Sequence, residues 1–515
     1  MRLIRFSILS ILASHYRVVA SNNFTLCLYD IQHTGSRSGV NNLGQFVRNP
    51  DDATAIPYIT CVNECGTSPD IRPWTLVAQE FSAWLLPYLA LLSQLLFGAH
   101  DRWDNLLAGV LTIGSPALAA YSVAVTVLNE RWLVRLFNSY SWPNRRNAVR
   151  VLSSLQQSPI RIGTDRRLLA SLVVLPENDA WWSELVAWLD YAHTWSISAA
   201  SFIAWVVITY AFTIANSFTG DVTTKTAING HDSMMVKKAL DRANKIAYVV
   251  GPSDRDPVLA SRISGHRAIY LDRDRAHTLH PDQRVTVPIY NYARLFTWTE
   301  AVREVATCFS NATTRADSFE PGTSAQVEKY CSLELGPLPP NHSSGVWTRL
   351  AIASLAGLGL QWSTTSAAFL TVYLTPTTGL GCRSGAYLVY TSAATLVMIM
   401  LILSSILAHY ASACSPQDPL RPHIRPLKGR LFAWSSIFLR RSGKILGFLN
   451  AMWLITVSVM SRGADKAYMV VIETLDPNIV KAMMAGWISG MVLGVGTAVV
   501  FIVFMNLMVQ KIVYD

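Results

Sequence analysis

Any chemistry this chain performs has to come from a short roster of residues. Cys61-Val-Asn-Glu-Cys65 with His33 offers two sulfurs and an imidazole, but a lone CxxxC lacks the second pair of ligands that marks a zinc site. The run holding Asp254, Arg255, Asp256, Asp272, Arg273, Asp274 and Arg275 offers carboxylates for acid–base work, yet alternating charge is the ordinary signature of a solvated face. Gln361 with Ser363, Thr364 and Thr365, and later His409, Asn450 and Asn506, are neutral polar groups inside apolar stretches. Such groups can coordinate a solute, although hydrogen bonding between helices is their commoner use. The chain has no HExxH, GxSxG, histidine-box or Walker pattern, and its 11 histidines are scattered; each of those patterns is what its chemistry would require. The reading nominates no catalytic residue, no cofactor site and no metal site.

The elements that would position these groups belong in lipid. Of 515 residues, 51% are hydrophobic and 15% charged, with a mean hydropathy of +0.28, whereas charged residues make up about a quarter of a soluble chain. The expected fold class is all-α: a polytopic α-helical membrane bundle of about seven spans, with a small N-terminal head and two large polar loops. The net charge of +10 then belongs to loops that set orientation in the bilayer. No compact basic domain with interleaved aromatics suggests nucleic acid, so the expected partner is the lipid bilayer, with anionic lipid a candidate contact. Seven cysteines are too few for a disulfide-stapled architecture and odd in number, which leaves at least one outside any intramolecular pair.

In order, residues 1–20 carry Arg2 and Arg5, a short apolar core and Val18-Val-Ala20, the layout of a secretory signal, with an uncleaved interfacial segment as the alternative. Residues 21–80 form a small extracytoplasmic head with a sequon at Asn23 and with Cys61 and Cys65 free to bridge each other or Cys27. Residues 81–128 supply two spans. In 129–193, eight arginines accompany Trp132, Leu133, Leu136, Phe137, Trp181, Trp182, Leu185, Trp188 and Leu189 at helical spacing. That pattern reads as amphipathic helices at the headgroups, recognising anionic lipid or simply fixing topology as a basic loop. Residues 194–217 are a third span and 218–349 a large polar loop, in which sequons at Asn311 and Asn341 and the pair Cys308 and Cys331 suit an extracytoplasmic location. Residues 350–409 form a membrane hairpin, turning through Gly379, Gly381 and Arg383, an arginine placed as a headgroup anchor or a re-entrant contact. A basic connector, 410–444, precedes two last spans in 445–510 and a tail, 511–515. Gly486, Gly490 and Gly494 recur every four residues, leaving a groove for packing inside the bundle or for a homodimer.

Sidedness is internally inconsistent on this count. A head outside puts the basic connector inside, as its charge demands, but also puts 129–193 outside and the loop with Asn311, Asn341, Cys308 and Cys331 inside. Glycans and disulfides would not form there.

Three blocks carry a resemblance: Leu172-Val-Val-Leu-Pro-Glu-Asn-Asp-Ala-Trp-Trp182, Asn291-Tyr-Ala-Arg294 with Trp298-Thr-Glu-Ala301, and Thr375 to Tyr390. From about residue 75 onward the chain resembles a broad family of multi-span fungal membrane proteins without assigned function, which implies a membrane bundle and supplies no mechanism. Similar proteins carry a further hydrophobic segment soon after the third span, where this chain reads Asp221-Val-Thr-Thr-Lys225, and that puts the parity of later loops in doubt. The expectation is an integral membrane protein of the secretory route or plasma membrane, a surface scaffold or sensor organised by its loops. The alternative is a transporter or channel for a small solute.

Overall fold

Pro116 decides the first corner among the described helices. The computed structural model describes residues 46–49, 55–57, 102–163, 166–190, 240–244, 248–250, 257–259, 268–271, 281–314, 345–374, 382–413, 427–460, 468–470 and 477–514. Helix α1 (Arg102–Gly114) runs into Ser115, and α2 (Pro116–Asn138) begins with proline at its first position, where the missing N–H costs nothing. The two axes bend by 106° at this junction. A second corner follows at Asn144, whose φ of 63° is left-handed, a region asparagine tolerates better than most residues. Its side-chain amide bonds Asp179.

Helices predominate in the rest: α3 (Arg145–Ser154), α4 (Arg166–Val174), α5 (Asp179–Asp190) and α6 (Asn291–Thr314), then four long ones, α7 (Val346–Leu374), α8 (Cys382–Ala413), α9 (Leu427–Met460) and α10 (Pro477–Tyr514). Six three-residue strands pair antiparallel: β1 (Ala55–Pro57) with β6 (Tyr468–Val470), β2 (Ile160–Ile162) with β5 (Ile269–Leu271), and β3 (Tyr248–Val250) with β4 (Pro257–Leu259).

The chain divides into two compact units. The first comprises Met1–Gln79, Ser366–Leu388 and Thr456–Val492. In it, β1 and β6 share an antiparallel ladder, Ala55–Pro57 against Tyr468–Val470. The α10 glycines meet α7: a Cβ on Gly486 would stand 2.7 Å from Leu374, and one on Gly490 would stand 2.6 Å from Thr371 Oγ1 and 2.9 Å from the Ala367 carbonyl. Gly486 and Gly490 thus pack against α7 within the chain.

The second unit comprises Glu80–Thr365, Val389–Ile455 and Leu493–Asp515 and holds two cores. One joins α1, α2, the segment 285–296, α7, α8, α9 and Met505 through Leu111, Tyr121, Val125, Tyr290, Tyr292, Val397 and Leu401. The other brings Leu133 and Phe137 of α2, Val151 and Leu152 of α3, Leu172 of α4, Trp181, Trp182 and Leu185 of α5, and Trp298, Val305 and Phe309 of α6 together. Edge-on ring pairs knit this core, Trp181–Trp182 at 4.7 Å and Phe137–Phe309 at 5.3 Å between centroids. Its indole N–H groups are satisfied: Trp142 donates to Val173 O, Trp182 to Leu172 O and Trp298 to Leu152 O.

Two expectations change. The helical spacing in 129–193 is real, but its aromatic side faces protein: Trp181, Trp182 and Leu185 are fully buried, while Trp188 stays half-exposed. A periodic apolar face states that something covers it, and here α6 and α3 do. The span count also falls. Two described stretches, Ser384–Ser412 and Met484–Met508, are long and apolar enough to cross a membrane, and a third exists if the bent pair α1 and α2 is one broken span. About seven spans are therefore not supported. The expected crossing within 105–128 is broken at Pro116, the middle of α7 is diluted by Gln361, Ser363, Thr364 and Thr365, and α9 carries Arg440, Arg441, Lys444 and Asn450. The expected spans at 81–98 and 194–217 lie largely or wholly outside the described residues.

Candidate functional site

Breaking a helix frees backbone groups, and a buried helix break has to pair them or offer them to a ligand. At the α1–α2 corner they are paired. Gln361 of α7 accepts from the Ala117 N–H at 2.9 Å and donates to the Thr391 carbonyl of α8 at 3.0 Å. Asn450 of α9 donates to the Gly114 carbonyl at 2.8 Å and to the Tyr390 carbonyl at 3.1 Å. Tyr390 donates to the Ile113 carbonyl, and Ser115 to the Ala394 carbonyl at 2.9 Å. Close approach makes this geometry accessible: Gly114 lies against Gly447, where an added Cβ would overlap the Gly447 carbonyl oxygen, and a Cβ on Gly357 would stand 2.6 Å from the Ala117 carbonyl. The neutral polar residues singled out in the sequence, Gln361 and Asn450, thus act as caps for a broken helix.

Among the described residues, a buried cluster of charge forms around the segment that leads into α6. Asp282, 1% exposed, forms an ion pair with Lys444 and faces Arg440 Nη1 at 3.6 Å, and its Oδ2 accepts from Tyr292 at 2.8 Å. Arg440 continues to α8, donating from Nε to Ser404 and from Nη2 to Ser405, both at 3.0 Å. Its guanidinium lies 5.5 Å from the Tyr292 ring centre, and the Lys444 ammonium the same distance from that of Tyr290. Beside them Arg294, 1% exposed, donates to the carbonyls of Val285 and Val287 and to Asn291 Oδ1. Burial alone pushes the Asp282 carboxyl up, but the fields of Arg440 and Lys444, with hydrogen bonds from Lys444 and Tyr292, outweigh it and hold it below the ordinary carboxylate range. Burial and the Asp282 charge push the Tyr292 phenol well up. Burial brings Arg294 down to about 9, so it stays charged at neutral pH.

Chemically, this cluster is a clamp. One carboxylate joins two cations on α9 to a phenol at the start of α6, with all three partners on different turns of rigid helices. Sequence reasoning passed over it, because Asp282 sits in a mixed-charge loop more than 150 residues before its partners. One signal was present: α9 has five basic residues and no acidic one in 34, and Arg440 and Lys444, four apart, share a face.

The remaining residues disperse. His409 stacks on Phe296 at 4.6 Å and reaches Glu300 at 3.6 Å. Asn506 is exposed on α10. Cys308 is a half-buried thiol on α6, and Cys331 lies outside the described residues. Asn311 falls in the last turns of α6, with Thr313 donating to the Phe309 carbonyl at 2.9 Å. Arg383 opens α8. Gly494 lies on α10 beyond the two packed glycines. Cys61, Cys65, His33, Asn23, Asn341, Gly379 and Gly381 lie outside the described residues, and among the described ones no three His, Cys, Asp or Glu side chains gather as metal ligands would.

No protein-family model, no curated protein and no solved structure matches this chain.

Proposed function

We propose that the chain is an integral membrane protein that serves as a scaffold or sensor: a membrane bundle holds a folded helical body, and that body is the working surface. Support for the membrane half comes from apolar exposure. Leu355 of α7, Val389 and Ile399 of α8, Ile445 and Leu449 of α9, and Val492, Val500 and Leu507 of α10 are each at least half exposed, an amount of exposed apolar surface that lipid accommodates better than water. On this reading α7 and α9 cross beside α8 and α10, their polar mid-helix groups being turned inward to the α1–α2 corner. Kinship with the multi-span fungal proteins that the sequence resembles belongs to the same proposal.

One observation carries the scaffold half: the two loop blocks fold into one tryptophan-rich core, and Asp282 clamps the start of α6 to α9. A broken helix inside a bundle favours a second reading, a transporter, because solute sites form where helices are interrupted. Against it, the groups freed at this break are already paired with Gln361, Tyr390 and Asn450. Reconstitution separates the two. The purified chain in sealed vesicles should pass protons, potassium and chloride no faster than empty vesicles do. Flux that disappears in Gln361→Leu or Asp282→Asn protein still folded by circular dichroism would replace the scaffold with a solute path.

A further inference from the structure

The basic residues of α9 divide into two sets. Arg440 and Lys444 are spent on Asp282. Lys428, Arg430 and Arg441 occupy exposed positions, and α9 offers no carboxylate to answer them. Between these three runs an apolar stripe: Leu427 is 82% exposed, Leu431 66%, Trp434 77% and Phe438 65%. Their intervals of four and three residues place them on one face, opposite Gly429, Ala433, Ser436 and Arg440, which are buried. The stripe is therefore the outward side of a helix whose inward side is already packed.

Length says where this stripe sits. At about 1.5 Å per residue a 34-residue helix reaches roughly 51 Å, some 20 Å more than the hydrocarbon core of a bilayer. If the C-terminal half of α9 crosses the core, the stretch from Leu427 to Arg441 starts at its edge with Arg441 and runs outward through the headgroup layer over about 21 Å. An aromatic and aliphatic stripe flanked by cations at that level matches the headgroup layer, where apolar side chains enter the acyl boundary and Lys and Arg meet phosphate. A second copy of this chain is the competing occupant, but a two-fold seam would bring Lys428, Arg430 and Arg441 toward their own counterparts with no acid of α9 between them.

We propose that Leu427–Arg441 is a binding surface for anionic lipid headgroups, with Phe438 and Trp434 nearest the acyl boundary, Leu431 and Leu427 farther out along the headgroup layer, and Lys428, Arg430 and Arg441 facing the phosphates. The inference rests on the membrane reading above and relocates the lipid contact from the arginine-rich block, whose aromatic side is buried in protein, to α9.

The test uses the full chain in vesicles with acyl-brominated lipid supplied either as phosphatidylserine or as phosphatidylcholine at equal mole fraction. Fluorescence quenching at Trp434 is isolated by subtracting the Trp434→Phe protein. Brominated phosphatidylserine should quench Trp434 about two-fold or more better than brominated phosphatidylcholine. That preference should vanish in Lys428→Gln/Arg430→Gln/Arg441→Gln and shrink in high salt. Equal quenching by both lipids overturns headgroup recognition, and quenching by neither shows the stripe covered by protein, as a second copy would cover it. Release of the chain from the vesicles by alkaline carbonate marks failure of the membrane reading instead.

Discussion

Asp282 has more cations around it than it can neutralise, which makes its removal costlier than its presence. With Asp282→Asn, Arg440 and Lys444 would lie close together with Arg294 nearby, and an uncompensated buried charge costs about 3–5 kcal/mol. The expected result is a large fall in the melting temperature of the detergent-solubilised protein, partly restored by adding Lys444→Met; a melting temperature within a degree of wild type would show the clamp to be idle. The pH dependence has a definite sign. Because the folded carboxyl is held below its unfolded value, its stabilisation is fully present above the unfolded carboxylate pKa of about 4 and is lost as pH falls from there through the folded value. Wild-type protein should lose stability below about pH 4 more steeply than Asp282→Asn, in melting scans across that range. The blocks that looked like family markers explain themselves at this scale. Asn291, Arg294 and Trp298 tie α6 to backbone carbonyls, and Trp182 closes the turn before α5 by bonding Leu172 O. Their types were legible in the sequence; their partners, set by tertiary contact, were not.

Among elements, the long apolar runs were the most readable. The runs expected to form a hairpin over 350–409 are the helices α7 and α8, and the run expected as the last crossing is α10, each within a few residues of its sequence limits, with α8 and α10 long and apolar enough to cross a membrane. The basic connector expected over 410–444 is partly helix. Its second half is the first half of α9, since Lys and Arg extend a helix readily when one face has small residues to pack. Likewise, Pro116 advertises a helix start, but nothing local announces that α7, α8 and α9 will cap the break it creates. Glycine gives this corner its test. Gly114→Ala would drive a methyl into the Gly447 carbonyl, a backbone atom that cannot rotate away, so the variant should lose monodisperse folded protein on size exclusion. Gly359→Ala meets nothing within 4 Å and should be neutral or stabilise by up to about 1 kcal/mol, as alanine does in a helix. Equal behaviour of the two variants would mean that the α1–α9 crossing is looser than described.

At the scale of the larger unit, contacts between segments far apart in sequence bear on the sidedness of the proposed membrane protein. Leu189 and Leu240, on either side of the expected third span, both lie in the tryptophan-rich core, and a single crossing between them would put one core on two sides of a bilayer. The same core contains α6, whose leading segment is clamped by Asp282 to the basic part of α9. On the membrane reading proposed above, the arginine-rich block, α6 with Asn311 and the basic stretch of α9 would share one face of the membrane, and the excess of Lys and Arg would make that face the cytoplasmic one. The sequon at Asn311 would then stay away from the glycosylation machinery, and the proposed reading would carry no conflict between its charge and its sequon. Cysteines introduced at the exposed positions Arg146, Ser183 and Arg430 should react with an impermeant maleimide in inside-out vesicles and stay protected in right-side-out ones, while Asn311→Gln leaves glycosidase mobility unchanged. Labelling of Arg146→Cys and Arg430→Cys from opposite sides would break the clamp and the shared core together, because no arrangement of α6 reaches both through a bilayer.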